Sequence, residues 1–235
     1  MGHGEITLIG DERGAATELM NLSAKPTKRE LVTAFRTKEI LAAAQRVMEL
    51  RGVEAATMDE IAAAARVAKG TIYLYFKGRE DLVQAIMSQV CETLLRDLAA
   101  IVESSGSPTE KLGAIVALLL KHLERERVWF PIYARDLLRG DRGEKGRPRP
   151  HILDLEEKFM ALLTRFFAEG SDTGTFIQAD PRLLAFLLRG LVRAVGYYQM
   201  LAKQEDIVPK TLPVLLALIS SGLVRQPEPA EAPGT

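Results

Sequence analysis

Residues 57–77, TMDEIAAAARVAKGTIYLYFK, set two short helical patterns end to end with only Arg66-Val67-Ala68 between them. Thr57-Met58-Asp59-Glu60 opens the first pattern as a capping box, in which the Thr hydroxyl and the Glu carboxylate each satisfy an orphan amide of the helix start. Met58, Ile61, Ala62 and Ala65 follow at steps of three and four, so one face of this helix is apolar. The second pattern runs from about Lys69 to Phe76, with Ile72 and Phe76 inward. Two helices joined so tightly need a small residue where they cross and apolar residues to lock the crossing. Ala62 supplies the first, and Ile61, Ala65, Val67 and Ile72 supply the second. The outward side then carries Lys69, Thr71, Tyr73, Tyr75 and Lys77, the polar and basic set that a helix entering the DNA major groove presents.

Charge is distributed to match. The 235 residues carry 31 Lys/Arg and 31 Asp/Glu, so net charge alone says nothing about nucleic acid. Residues 25–80, however, hold 11 Lys/Arg against seven Asp/Glu, and from Arg66 to Arg79 four basic residues meet no acidic one. A local basic face is what phosphate contact requires, whatever the global balance. Lys25, Lys28, Arg29, Arg36 and Lys38 read either as a solvated stretch or as an arm reaching the DNA backbone or minor groove.

The rest of the chain reads as helix throughout. Ile40, Leu41, Ala44, Val47 and Met48 predict a helix from Thr37, closed by Gly52, with room for a short separate helix after Pro26. A long helix is expected from about Asp81 to Glu103, then helices at about 109–125, 130–139, 151–170, 181–203 and 208–223. The fold class is all-α with about nine helices. The expected division is an N-terminal, partly basic tail over 1–36, a three-helix DNA-binding domain over 37–80, a helical ligand-binding and dimerisation domain over 81–225, and a disordered tail over 226–235.

Thr37–Leu82 resembles the DNA-binding domain of the tetracycline-repressor-like (TetR) family, most specifically in Gly70-Thr71-Ile72-Tyr73-Leu74-Tyr75-Phe76-Lys77 combined with Thr57-Met58-Asp59-Glu60-Ile61-Ala62. The resemblance covers roughly a fifth of the chain; the later helices fit only by number, length and order. It implies an all-α homodimer that binds double-stranded operator DNA, and a C-terminal pocket whose small-molecule effector releases the DNA. By position it implies that Lys69, Gly70, Thr71 and Tyr73 approach bases, that Thr57, Tyr73, Tyr75 and Lys77 contact phosphates, and that Arg79 contacts the backbone. Two positions depart from the family pattern. Arg66 stands in the turn where the family usually has Gly, and Ala68 replaces the usual Ser cap.

The C-terminal domain supplies the candidate effector site. Trp129, Phe130, Tyr133, Phe159, Leu163 and Phe166 lie on three successive helices, and the later helix adds Phe186 and Tyr197. An apolar or aromatic pocket is expected among them, with His122, Tyr133 or an Arg providing polar selectivity. His122 and Glu126, four apart, read chiefly as a helical surface pair. Arg189 and Arg193 read as the solvent or interface side of an apolar helix, with an effector carboxylate as the alternative. The basic loop Arg139, Arg142, Lys145, Arg147 and Arg149 reads as solvated, or as a contact for an anionic effector. Helices 181–203 and 208–223 are too apolar to lie bare and are expected to pair with their copies, with Leu187, Leu191, Val195, Leu215 and Ile219 as contacts.

No catalytic constellation, phosphate loop or nucleophile elbow occurs, so an enzyme is not expected. Three scattered His and one Cys suggest no metal site, and no cofactor is expected. Lack of a secretory pattern, of a membrane-length apolar run and of any intrachain disulfide points to the cytoplasm. The expected function is a transcription regulator, a repressor of a near-palindromic operator. The alternative is a DNA-binding regulator controlled by a protein partner.

Overall fold

Capping boxes mark where three of the helices begin. In the computed structural model the described residues are 27–132, 134, 150–202 and 208–222, with the backbone alone at 150–152. Tyr133, the loop 139–149, residues 1–26 of the tail expected over 1–36 and the tail expected over 226–235 therefore lie outside the described residues. Helix α1 spans Lys28–Arg51 without a break. It starts nine residues before the expected Thr37 because Thr27 and Glu30 form a capping box of their own. Its first turns are exposed, including Leu31, Val32 and Phe35; burial begins at Ile40. Gly52, at φ 89°, closes it in a conformation that L side chains rarely adopt.

Helix α2 is Met58–Ala64, capped by Thr57, and α3 is Lys69–Ile72. Helix α4, Arg79–Glu103, is roughly 37 Å long at the α-helical rise. Its N-terminal half contributes Leu82, Val83, Ile86 and Met87 to a core shared with α1, α2 and α3; its C-terminal half contributes Leu98 and Val102 to a second core. One rigid element thus runs through both. Helix α5, Pro108–Arg125, starts with Ser107 and Glu110 as the third capping box, with Pro at the first position. A helical turn follows it, in which Trp129 N–H donates to the Glu126 carbonyl at 2.9 Å.

Helices α6 (Pro150–Asp172), α7 (Pro181–Ala202) and α8 (Val208–Gly222) complete the larger core. α6 lies against α4 and α7, and α8 lies against α5. Phe166, Phe167 and Phe176 meet edge to face or tilted at centroid distances of 5.2–5.5 Å. The fold class is all-α, as expected, with eight helices and the turn at 130–132 among the described residues.

Helices α7 and α8 each present two apolar faces. Leu184, Leu188, Val192, Val195, Leu215 and Ile219 face the core. Leu183, Leu187, Leu191, Tyr198, Val214 and Leu218 remain exposed. Val195, Leu215 and Ile219, expected at a partner contact, are therefore used within the protomer, and Val214 and Leu218 stand outward in their place. Period alone does not tell which stripe of an all-round apolar helix faces its own core.

Candidate functional site

The side expected to face DNA is built on α2 and α3. Ala62 is buried where they cross, and Ile61 and Ile72 are wholly buried beneath it. The turn places Arg66 at φ 55°, the left-handed region, the only such non-glycine among the described residues. It is held by two backbone bonds, Arg66 N–H to the Ala63 carbonyl at 3.1 Å and Val67 N–H to the Ala62 carbonyl at 3.0 Å. Ala68 leaves the start of α3 without a side-chain cap.

On the outer side Lys69, Gly70, Tyr73 and Lys77 are exposed, and Thr71 and Tyr75 are half-buried. Several carry contacts that the sequence does not reveal. Lys69 Nζ sits 2.8 Å from Asp59, whose carboxylate holds the ammonium pKa above its ordinary value. The Thr57 hydroxyl accepts from Glu60 N–H at 3.2 Å, and the Thr57 amide and hydroxyl both donate to the Glu60 carboxylate, lowering its pKa. The Lys77 amide donates to the Asp81 carboxylate at 3.0 Å, which ties its backbone to the first turn of α4 while its side chain is exposed. Arg79 is engaged with Glu54, by an ion pair at 2.8 Å and a bond to its carbonyl. A phosphate at Arg79 or Lys69 would compete with these carboxylates. Leu74, not singled out from sequence, is 83% exposed beside Tyr73, although apolar side chains are usually buried at such spacing.

A cavity of about 110 Å³ lies between the two cores. Met87, Val90 and Leu94 of α4, Leu119 of α5, Phe130, and Phe159 of α6 form its apolar wall. Its polar side is Cys91, His122, Glu126, Glu156, Arg189 and Arg193, with the indole of Trp129 beside them. His122, Trp129, Phe130 and Phe159 of the expected set are thus brought together. Leu163 and Phe166 are buried in the larger core and do not line the cavity. Tyr197 stacks edge to face on Phe130 at 5.4 Å from behind the lining. Phe186 is half exposed, with the Arg189 guanidinium 5.5 Å from its ring centre.

His122 and Glu126 prove to be an inward pair. Glu126 is 8% exposed, and burial together with Arg125 pushes the His122 pKa down to about 4, against a smaller opposing pull from Asp97. Arg189 likewise points inward, paired with Glu156. Burial, with Glu156, Glu92 and Glu126 near, pushes the Cys91 thiol up to about 12, so it remains a thiol. A signal for these residues did exist in the 122–126 and 189–193 spacings, which put each pair on one helical face; the spacing cannot say which way that face points.

Trp129 joins the two sites. It is 1% exposed, lines the cavity, and packs with Ile132 into the core formed by α1, α2, α3 and the start of α4. Among the described residues no group of three or more His, Cys, Asp or Glu is placed to hold a metal ion, and no helix is long and apolar enough to cross a membrane.

Residues 40–86 match the family model for bacterial regulatory proteins of the tetR family. The HTH-type transcriptional regulator YhgD of Bacillus subtilis is 26% identical over 164 residues, covering 68% of this chain and 82% of its own. The fatty acid degradation regulator FadR from Bacillus halodurans has a similar structure, with TM-score 0.67 and 23% identity over 85% of this chain and 98% of its own. So has the transcriptional regulator FadR from Bacillus subtilis, solved in complex with stearoyl-CoA, with TM-score 0.65 and 22% identity over 79% and 98%.

Proposed function

As a member of the tetR family of bacterial regulatory proteins, a DNA-binding transcription regulator, this chain is, we propose, a dimeric repressor that leaves a near-palindromic operator when a small apolar molecule enters the cavity between its two cores. The observation that carries this reading is Trp129, whose side chain is both cavity wall and part of the core beneath α2 and α3. Met87 has the same double membership on α4. An occupant that moves either residue changes the support of the helix that enters the groove. The effector binds better to the conformation in which the two recognition helices no longer match successive major grooves, about 34–36 Å apart or a multiple of that. A tenfold loss of DNA affinity needs about 1.4 kcal/mol of differential binding, which a few buried methylenes supply.

At the DNA, Lys69, Gly70, Thr71 and Tyr73 approach base edges, and Thr57, Tyr73, Tyr75, Lys77 and Arg79 contact the backbone. At the effector, His122, Trp129, Phe130 and Phe159 form the first contacts. The stearoyl-CoA seen with the FadR of Bacillus subtilis carries a long apolar chain, in keeping with an apolar effector here. The cavity, with its mostly apolar lining and a few polar groups, favours a small molecule over a protein partner.

The test uses duplex DNA selected from a random pool by the intact protein. Lys77→Ala should weaken binding alike on selected and random duplexes and flatten its salt dependence, whereas Thr71→Ala should relax base preference. Phe159→Leu should keep DNA affinity and alter release by stearoyl-CoA or any other effector found. If Lys77→Ala and Thr71→Ala both bind selected and random DNA as the parent does, the assigned recognition helix is wrong.

A further inference from the structure

The wall of the cavity is apolar over most of its area, yet several wholly buried polar atoms on its lining form no hydrogen bond among the described residues, two of them a donor and an acceptor on neighbouring turns. One is a donor, Trp129 Nε1, on a side chain 1% exposed. The other is an acceptor, Glu126 Oε2, on a residue 8% exposed whose Oε1 accepts from Arg125 Nε at 2.7 Å. They stand one helical turn apart, as the bond from Trp129 N–H to the Glu126 carbonyl requires. His122 Nδ1, one turn earlier on the same face, also lacks a partner. Leaving a buried donor or acceptor unpaired is unfavourable, and more so for a charged group. A protein that only needed a core here would place Phe and Leu at these positions.

We infer that this polar end receives the head of the effector, a neutral group that donates to Glu126 and accepts from Trp129 Nε1, such as a hydroxyl or a primary amide, on a compact apolar body. The inference rests on the effector-pocket reading above and narrows its ligand class. A free carboxylate fits poorly, because it brings a second negative charge to the Glu126 carboxylate and cannot donate to it. Arg189 is already matched by Glu156. Arg193, which also lines the cavity, is the group through which an anion would bind instead. The volume, about 110 Å³, is of the order of an engineered cavity of about 150 Å³ that admits benzene, so the group at this end is about the size of one ring.

Trp129 is the single Trp of the chain and lines this cavity, so its fluorescence responds to occupancy there. The probes are toluene, benzyl alcohol, benzamide and benzoate, titrated into the full-length protein with Trp129 emission and isothermal calorimetry as readouts. An apolar cavity ranks toluene above benzyl alcohol, because desolvating an unpaired hydroxyl is unfavourable. The expected order is the reverse, with benzyl alcohol and benzamide about tenfold tighter than toluene, and benzoate weakest. Glu126→Gln should lift the exclusion of benzoate at least fivefold. Trp129→Phe, followed by calorimetry, should bring the alcohol and toluene together. The parent ranking needs no variant, so a misfolded variant leaves the test intact. Toluene binding as well as or better than benzyl alcohol overturns the head-group assignment and leaves the pocket standing. Benzoate binding best overturns it in favour of Arg193. No response of Trp129 to any probe at millimolar concentration overturns the pocket reading together with the inference.

Discussion

Arg66 holds a backbone conformation that costs a non-glycine residue about 1–2 kcal/mol, and the two amide bonds of the turn are what keep it there. Arg66→Gly removes that strain but adds chain entropy to the unfolded state, about 0.5–1 kcal/mol. The expected net gain is about 0.5–1 kcal/mol, visible as a higher urea midpoint, with an unchanged midpoint as the refuting result. His122 offers a pH prediction. Its pKa of about 4 in the folded chain lies below the ordinary 6.5, because burial and Arg125 outweigh Asp97. Above the unfolded pKa both states are neutral there and stability is full. As pH falls toward 4 the unfolded chain takes up a proton that the folded chain refuses, so stability drops, by up to about 3 kcal/mol. The urea midpoint of the parent should fall between about pH 6.5 and pH 4.5, and His122→Gln should flatten that fall. At this scale the sequence was most legible where chemistry is local. The Thr57–Glu60 box and the turn at Arg66 follow from neighbouring residues. Whether the His122–Glu126 face looks outward does not, since it depends on α6 and α7 closing over it.

Among the elements, α1 shows what local reading can miss. Thr27-Lys28-Arg29-Glu30 has the same capping signature as Thr57–Glu60, but the apolar period does not begin until Ile40, so the period hides the true start. The candidate pocket shows a different limit. Phe159, Leu163 and Phe166 all lie on the apolar stripe of α6, yet only Phe159 lines the cavity; the crossing of α6 with α4 and α7 divides one stripe into cavity wall and core. Gly196 on α7 is where the Phe130 ring packs against that helix. A Cβ there would come within 2.6 Å of the Phe130 ring, which is itself stacked on Tyr197. Gly196→Ala must displace Phe130 and with it one wall of the cavity, at a cost of about 1–3 kcal/mol for overpacking. The expected outcome is a lower melting temperature and weaker binding of benzyl alcohol, with affinity for selected DNA in the absence of effector unchanged. Calorimetry and a DNA titration on the same sample read both. Full retention of probe binding would mean that Phe130 is not part of the site.

For the whole molecule, α7 and α8 carry exposed apolar stripes that a partner could cover. Leu187 and Leu191, expected at a partner contact, are 51% and 37% exposed, and Val214 and Leu218, at 58% each, extend the same kind of surface on α8. Pairing with a second copy about a two-fold axis would bury them as a four-helix bundle. Leu187→Glu should shift the protein toward monomer in sedimentation equilibrium and lower operator affinity at least tenfold, because one half-site must then bind alone. A parent protein that sediments as a monomer at micromolar concentration removes the dimer. The two cores, by contrast, share an element, α4. Trp129 and Ile132 come from beyond α5 yet complete the packing beneath α2 and α3. The reading head is accordingly not a detachable module. A chimera that grafts residues 27–103 onto an unrelated sensor, or a fragment ending after α4, leaves an indole-sized hole against Met87, so interchange of specificities by recombination must carry the 129–132 turn along with the recognition helix.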